Sequence, residues 1–164
     1  MTRVCTILIL FFSLSVKSSP FLSVPKDGIR ADSLILYSKK FLGSNYLYAS
    51  CNSEAGFDCS GFVYYVFSHF NVKVPRSSSE YTKVGKTIHP DSFKVGDVIV
   101  FTGTDSKKRS PGHVGIIISN YGHKLQFIHS SSNKKNSGVK ISTYDDSPNY
   151  KIRFLKIVRV ANVY

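Results

Sequence analysis

Tryptophan is absent from the 164 residues, and the one methionine stands at the start. Any aromatic core must therefore be built from the 12 Phe and 10 Tyr. Cysteine is scarce as well: of three, Cys5 falls in the leading apolar run, which leaves Cys51 and Cys59. Two cysteines do not make a disulfide scaffold. They could pair in an oxidising compartment, but a bridge would silence Cys59, so Cys51 is read as a spectator. No C-x-x-C or H-x-x-x-H spacing occurs, and a metal site or other cofactor is not expected. Internal repeats and low-complexity tracts are also missing, which excludes repeat architectures. Acidic residues are few, 10 Asp and Glu against 22 Lys and Arg, for a net charge of +12. Such an excess speaks for an anionic partner or for solubility, and says nothing of fold. The lysines are scattered apart from Lys107-Lys108-Arg109 and Lys134-Lys135. No nucleic-acid-binding motif accompanies them, so the expected partner is an anionic cell envelope and not a nucleic acid.

Long apolar runs are lacking too, except at the beginning. Met1-Thr2-Arg3 forms a short basic segment, Val4 to Leu14 an apolar one, and small residues around Ser18 and Ser19 precede Pro20. This pattern reads as a signal peptide over 1–19, too short and wrongly flanked for a spanning helix, with an uncleaved anchor as the alternative. The expectation is an exported chain, periplasmic or extracellular at the cell envelope, with no transmembrane segment after cleavage. A short linker over 20–26 would lead into one catalytic domain over 27–164, acting as a monomer.

What is present centres on Gly56-Phe57-Asp58-Cys59-Ser60-Gly61-Phe62-Val63-Tyr64-Tyr65-Val66-Phe67. Phe62, Val63, Val66, Phe67 and Phe70 recur at the spacing of one helical face. Asp58 stands where an N-cap belongs, which puts Cys59 in the first turn. A thiol there feels the positive end of the helix dipole, which favours the thiolate. That is the setting of a nucleophile, although a buried structural cysteine would fit the same segment.

The spacing predicts a helix from Asp27 to Leu42 capped by Gly43, a loop over 45–55, and the Cys59 helix ending before Pro75. Ser77-Ser78-Ser79-Glu80 matches a capping box that would open a short helix through Val84. Beyond it the period changes to two. Strands are predicted at 98–101, 113–119, 124–129, 139–142 and 154–160, giving an α+β fold of helices on an antiparallel sheet. If the hairpin between the second and third strands turns on Tyr121, Ser119 opposes His123, and His113 opposes His129 further down the ladder. Opposed residues share a face, with Cβ atoms about 4.5–5.5 Å apart. Two water-satisfied histidines at a sheet edge are the plain alternative. With Cys59 they instead supply the three parts of a nucleophilic site: thiol, base and a polar group to hold the base. His113 is taken as the base because Pro111-Gly112 lets a loop approach its strand end closely, and His129 as the group that orients it. Which ring meets the sulfur is not fixed by the sequence. His69, His89 and His123 read as solvated.

Taken in order, these segments resemble the NlpC/P60 cell-wall peptidases, which are papain-like cysteine hydrolases. Phe41-Leu42-Gly43-Ser44-Asn45-Tyr46-Leu47-Tyr48 is similar to the family's tyrosine-bearing loop, and Phe57-Asp58-Cys59-Ser60-Gly61-Phe62-Val63 to its nucleophile motif. Val74-Pro75-Arg76-Ser77-Ser78 and Phe93 to Phe101 match its next blocks. Gly112-His113-Val114-Gly115-Ile116 matches the base motif, Phe127-Ile128-His129-Ser130-Ser131 the third-residue motif, and Tyr150 to Phe154 the last strand. The resemblance implies Cys59 as nucleophile, His113 as base and His129 as orienting residue. It implies that Tyr48 helps stabilise the oxyanion, and that Asp58 and Ser60 bind a substrate amine or peptide. It implies a substrate, peptidoglycan or muropeptides, cut between D-glutamate (through its γ-carboxyl) and the diamino acid. Ala49, Ser50 and Cys51 stand where the family carries glycines, a departure at the substrate-facing rim. An amidase or acyl transferase on the same fold, or a dormant wall-binding module, are the other readings.

Overall fold

Residues 28–164 are described by the computed structural model, so the signal peptide expected over 1–19 and the linker over 20–26 lie outside the described residues. The first helix, α1 (Ala31–Lys39), is shorter than its apolar pattern suggested. After Lys39 the chain closes in successive turns. Gly43, at φ +84, sends its N–H to the Val139 carbonyl at 2.9 Å, so this glycine fastens the turn to the sheet instead of closing the helix. A two-residue hairpin, β1 (Cys51–Asn52) with β2 (Gly56–Phe57), delivers the chain to α2 (Cys59–His69). This helix starts where its cap predicts: the Asp58 carboxylate accepts the Gly61 N–H at 2.6 Å, filling one of the donors left open in a first turn. At its far end the His69 ring stacks on Tyr37 of α1 at 3.7 Å.

The expected capping box at Ser77 does not form. Residues Ser78–Lys83 make a 3₁₀ helix, whose i to i+3 pattern hands the Glu80 N–H to the Ser77 carbonyl at 3.2 Å. The Ser77 hydroxyl pairs with that of Ser79 at 2.8 Å instead.

Six strands follow: β3 (Lys86–Ile88), β4 (Val98–Thr102), β5 (Pro111–Ile117), β6 (Gln126–Ser131), β7 (Gly138–Thr143) and β8 (Phe154–Arg159), with α3 (Pro148–Arg153) before the last. They form one antiparallel sheet in the order β3-β8-β4-β5-β6-β7. Side-chain alternation sends Val98, Val100, Val114, Ile116 and Ile128 into the core that Phe62, Val63, Val66 and Phe67 of α2 complete. Ile99, Phe101, Ile117 and Phe127 enter a second core closed by Tyr144, Tyr150 and Phe154. Burial on both faces is why Val98-Ile99-Val100-Phe101 reads as an unbroken apolar run. No helix among the described residues is long and apolar enough to cross a membrane.

The β5–β6 register differs from the one expected. Ile116 pairs with Ile128 and Ile117 with Phe127, so the connection is centred on Gly122, not Tyr121. Gly122 sits at φ +94, a conformation costly for a tyrosine. The shift moves His129 from directly opposite His113 to the diagonal position, and both stay on the same face.

Candidate active site

Gly115 decides whether the two histidines can meet. A Cβ there would fall 2.7 Å from the Phe127 ring and 3.1 Å from the His129 Cβ, so a side chain would displace the His129 ring. With hydrogen in its place, His113 Nε2 and His129 Nδ1 come to 2.9 Å, their rings nearly perpendicular. His129 is fully buried. Its Nε2 meets the Ser142 Oγ at 2.9 Å and the Tyr150 hydroxyl at 3.4 Å. Two sets of tautomers satisfy this row, with the protons running from His113 to Ser142 or the reverse. In the first, His113 Nε2–H donates to His129 Nδ1 and His129 Nε2–H to Ser142 Oγ, and His113 Nδ1 is left as an acceptor, the state a general base requires.

Desolvation disfavours the charged form of both rings, most completely at His129, since His113 is only partly buried. It pushes His113 down to about 3, with the positive charges of Arg153 and Lys140 adding to the effect. It also takes His129 well below the ordinary imidazole value, with His113, Lys140 and Arg153 contributing.

Cys59 opens α2 and is 9% exposed. Its Sγ lies against the backbone on either side of His113. The Gly112 carbonyl is 4.0 Å away, and the Val114 N–H bonds the sulfur from the other side. The helix start was expected to favour the thiolate. Here burial is the larger effect and raises the thiol, with the Asp58 carboxylate adding to it, while the N–H groups of Val114, Ser60 and Cys59 pull the other way. Both shifts favour the uncharged forms, a thiol and a neutral imidazole.

A cleft of about 400 Å³ opens over the sulfur, lined by Tyr46, Tyr48, Ala49, Asp58, Cys59, Ser60, Ser77, Ser78 and Gly112, with Arg76 on one wall. Of the residues singled out from sequence, Tyr48 stands on the rim, 83% exposed. Tyr46 sits deeper, and its phenol is raised by burial and by the nearby Cys59 and Asp58. Asp58 and Ser60 are buried and tied together. Arg76 binds Asp58 through Nη1 at 2.9 Å and Nη2 at 2.7 Å, and the Ser60 hydroxyl lies 3.2 Å from Asp58 Oδ1. Oδ1 carries three partners and Oδ2 one, so the donors already match the roughly four acceptor positions of a carboxylate.

Tyr46, Arg76, Ser142 and Tyr150 were not assigned from sequence. Tyr46, Arg76 and Tyr150 lie inside segments quoted for other reasons, and Tyr150 belongs to helix α3 and not to the last strand expected there. Ser142 opposes Phe127 in the β6–β7 register, and so lies diagonal to His129. A correct strand register would have revealed it. Among the described residues Cys51 and Cys59 are both free thiols.

Comparison with known proteins gives a consistent result. The family model described as "NlpC/P60 family" matches residues 43–159. The gamma-DL-glutamyl hydrolase of Bacillus subtilis is 30% identical over 128 residues, 78% of this chain and 29% of the relative. The murein DD-endopeptidase MepS/murein LD-carboxypeptidase of Escherichia coli K12 is 34% identical over 110 residues, 66% of this chain and 52% of the relative. The chain therefore spans about half or less of the length of these curated relatives. The crystal structure of an NlpC/P60 family protein from Bacillus cereus superposes with a TM-score of 0.70 at 29% identity, over 81% of this chain and 41% of that one.

Proposed function

The chain belongs to the NlpC/P60 family, and we propose that it is an exported cysteine peptidase that hydrolyses the stem peptides of peptidoglycan. The bond cut is the γ-D-glutamyl link to the diamino acid. The observation that carries this reading is the 2.9 Å contact between His113 and His129, beside a cysteine at a capped helix start. The names of the relatives, a gamma-DL-glutamyl hydrolase and a murein endopeptidase, support the substrate class.

In this reading the Cys59 thiol gives its proton to His113 Nδ1 as the sulfur attacks the carbonyl carbon. His129 holds the ring in place through Nε2 of His113. The oxyanion is met by N–H groups at the start of α2 and by a tyrosine hydroxyl. Tyr46, closer to the sulfur's field than the exposed Tyr48, suits that part better. Preorganised donors of this kind are worth about 3 kcal/mol each. His113 then protonates the leaving amine, and water, deprotonated by the same ring, releases the acyl group and restores the thiol. Asp58 and Ser60, which line the cleft, would meet an amine or peptide group of the substrate.

Purified murein incubated with wild type should release stem-peptide fragments, with the cleaved bond read by mass spectrometry of defined muropeptides. Cys59→Ala should release none. Equal release by both proteins would end the enzyme reading, and products cut at another amide would redirect the bond assignment.

A further inference from the structure

The half-buried cations among the described residues divide by partner. The Arg76 guanidinium is paired with Asp58 and that of Arg159 with Asp97. Lys94, Lys140, Arg153 and Lys156 have no carboxylate, only a backbone carbonyl each. A cation drawn out of water without an opposite charge is costly. Burial accordingly pulls Lys140 and Arg153 below their ordinary values, and the Arg153 Nε is buried with no hydrogen-bond partner.

Place sets Lys140 and Arg153 apart from the other two. Lys140 opposes His129 in the β6–β7 register, so the two side chains share a face. Its Nζ is held at the Asn136 carbonyl at 3.2 Å, at the catalytic end of the strand. Arg153 follows Tyr150 by three residues on α3, which puts both on one side of the helix. The Tyr150 ring packs on Phe101, and its hydroxyl reaches His129. The Arg153 Nη2 donates to the Thr102 carbonyl at 2.8 Å, one residue beyond the pair formed by Phe101 and His113. In the strand order β8-β4-β5-β6-β7 the two cations therefore stand on opposite flanks of His113. Neither lines the cleft over the sulfur. His113, Lys140 and Arg153 are all partly exposed, so the surface around the base is open to a ligand.

A base that protonates the leaving amine has the residue bearing that amine against it. Carboxylates on that residue would meet the two unmatched cations and form charge-assisted bonds with them. Resting on the reading of Cys59 and His113 as nucleophile and base, we propose that Lys140 and Arg153 select the leaving half of the substrate by binding its free carboxylates. The residue that fits is a diamino acid with a side-chain carboxylate as well as its main-chain one, so that each cation receives an anion. The acyl half then occupies the cleft lined by Tyr46 and Asp58, and the leaving half lies beyond His113.

Three synthetic stem peptides that differ only in the leaving residue test this: lysine amide, lysine with a free carboxyl, and diaminopimelate with both carboxylates free. Wild type should cut them with kcat/KM rising about fivefold at each added carboxylate. Lys140→Gln, which keeps a donor for the Asn136 carbonyl, and Arg153→Gln should each remove about one such step. The double variant should bring the ratios close to one. Equal kcat/KM on all three peptides with wild type overturns the proposal, and so does a preference that survives in the double variant. Lys140 lies on the edge strand β7, so its single variant reads the effect even if Arg153→Gln fails to fold. Dissociation constants of the same peptides for Cys59→Ala, measured by calorimetry, should follow the same order, and a flat series there also overturns the proposal. Binding is read without turnover, so a wild type that cuts none of the peptides ends the peptidase reading while the calorimetry still decides this one.

Discussion

A neutral imidazole that holds another neutral imidazole orients it without raising its basicity, as a carboxylate in the same place would. His129 therefore holds the ring of His113 in place, while the cost of charging either ring stays high. That cost links the site to folding. In the unfolded chain both rings take up protons near pH 6.5, whereas in the folded chain His113 resists until about 3 and His129 is also held low. The unfolded state binds more protons across that window, so the stability present above pH 6.5 is lost progressively as pH falls towards 3. Denaturant midpoints should drop on moving from about pH 7.5 to about pH 4.5. His129→Gln, which removes one of the two rings, should make that drop smaller. An equal drop in the variant would place the acid sensitivity elsewhere. At this scale the sequence was partly legible: the place of Cys59 at a capped helix start and the meeting of His113 with His129 could be read because a cap and a hairpin are local patterns. Ser142 needs the β6–β7 register and Tyr150 a packing contact from α3, and neither is a local pattern.

Helix α2 concentrates two duties on one side chain. Asp58 caps the helix through Oδ1 and anchors Arg76 through both oxygens. The Asp58 side chain is 11% exposed and Arg76 37%, so the pair is partly screened by solvent. Asp58→Ala removes the cap, worth about 1 kcal/mol, and leaves a half-buried guanidinium unpaired, for a total loss of about 2–3 kcal/mol. Asp58→Asn keeps an oxygen for the Gly61 N–H and should lose about half as much. Urea unfolding of the two variants measures the difference, and equal losses would show that the ion pair and not the cap carries the stability. The start of α2 was readable because capping involves four consecutive residues. The β5–β6 register was not, because it depends on whether Tyr121 or Gly122 takes the positive φ, a choice of one residue that moves every pair on the ladder. The 3₁₀ helix at Ser78–Lys83 had a helical signature but the tighter hydrogen-bond pattern, so its capping box was read from the right residues and the wrong geometry.

Strand order brings the scattered charge to one end of the molecule. Loop 103–110 joins β4 to β5 and loop 132–137 joins β6 to β7, so in the antiparallel sheet both emerge at the edge where β5 begins with Pro111-Gly112-His113. The centres of the two hairpins are two strand spacings apart, about 10 Å. Lys107, Lys108, Lys134 and Lys135 are exposed there, while the Arg109 guanidinium is bonded to the Ile152 and Phe154 carbonyls. None of these lysines lines the cleft, but they can concentrate an anionic polymer at the end of the molecule that carries His113. Attraction of this kind is screened once the Debye length falls below the separation of the charges. Hydrolysis of intact, carboxylate-bearing murein should therefore slow by roughly tenfold between about 50 mM and about 0.5 M salt. Turnover of a small soluble muropeptide should change little, because its binding lies within the cleft. Replacing all four lysines by glutamine should flatten the salt dependence on murein and leave the small-substrate rate intact. A quadruple variant that keeps the wild-type slope would mean that capture depends on the rest of the +12 charge and not on these two loops.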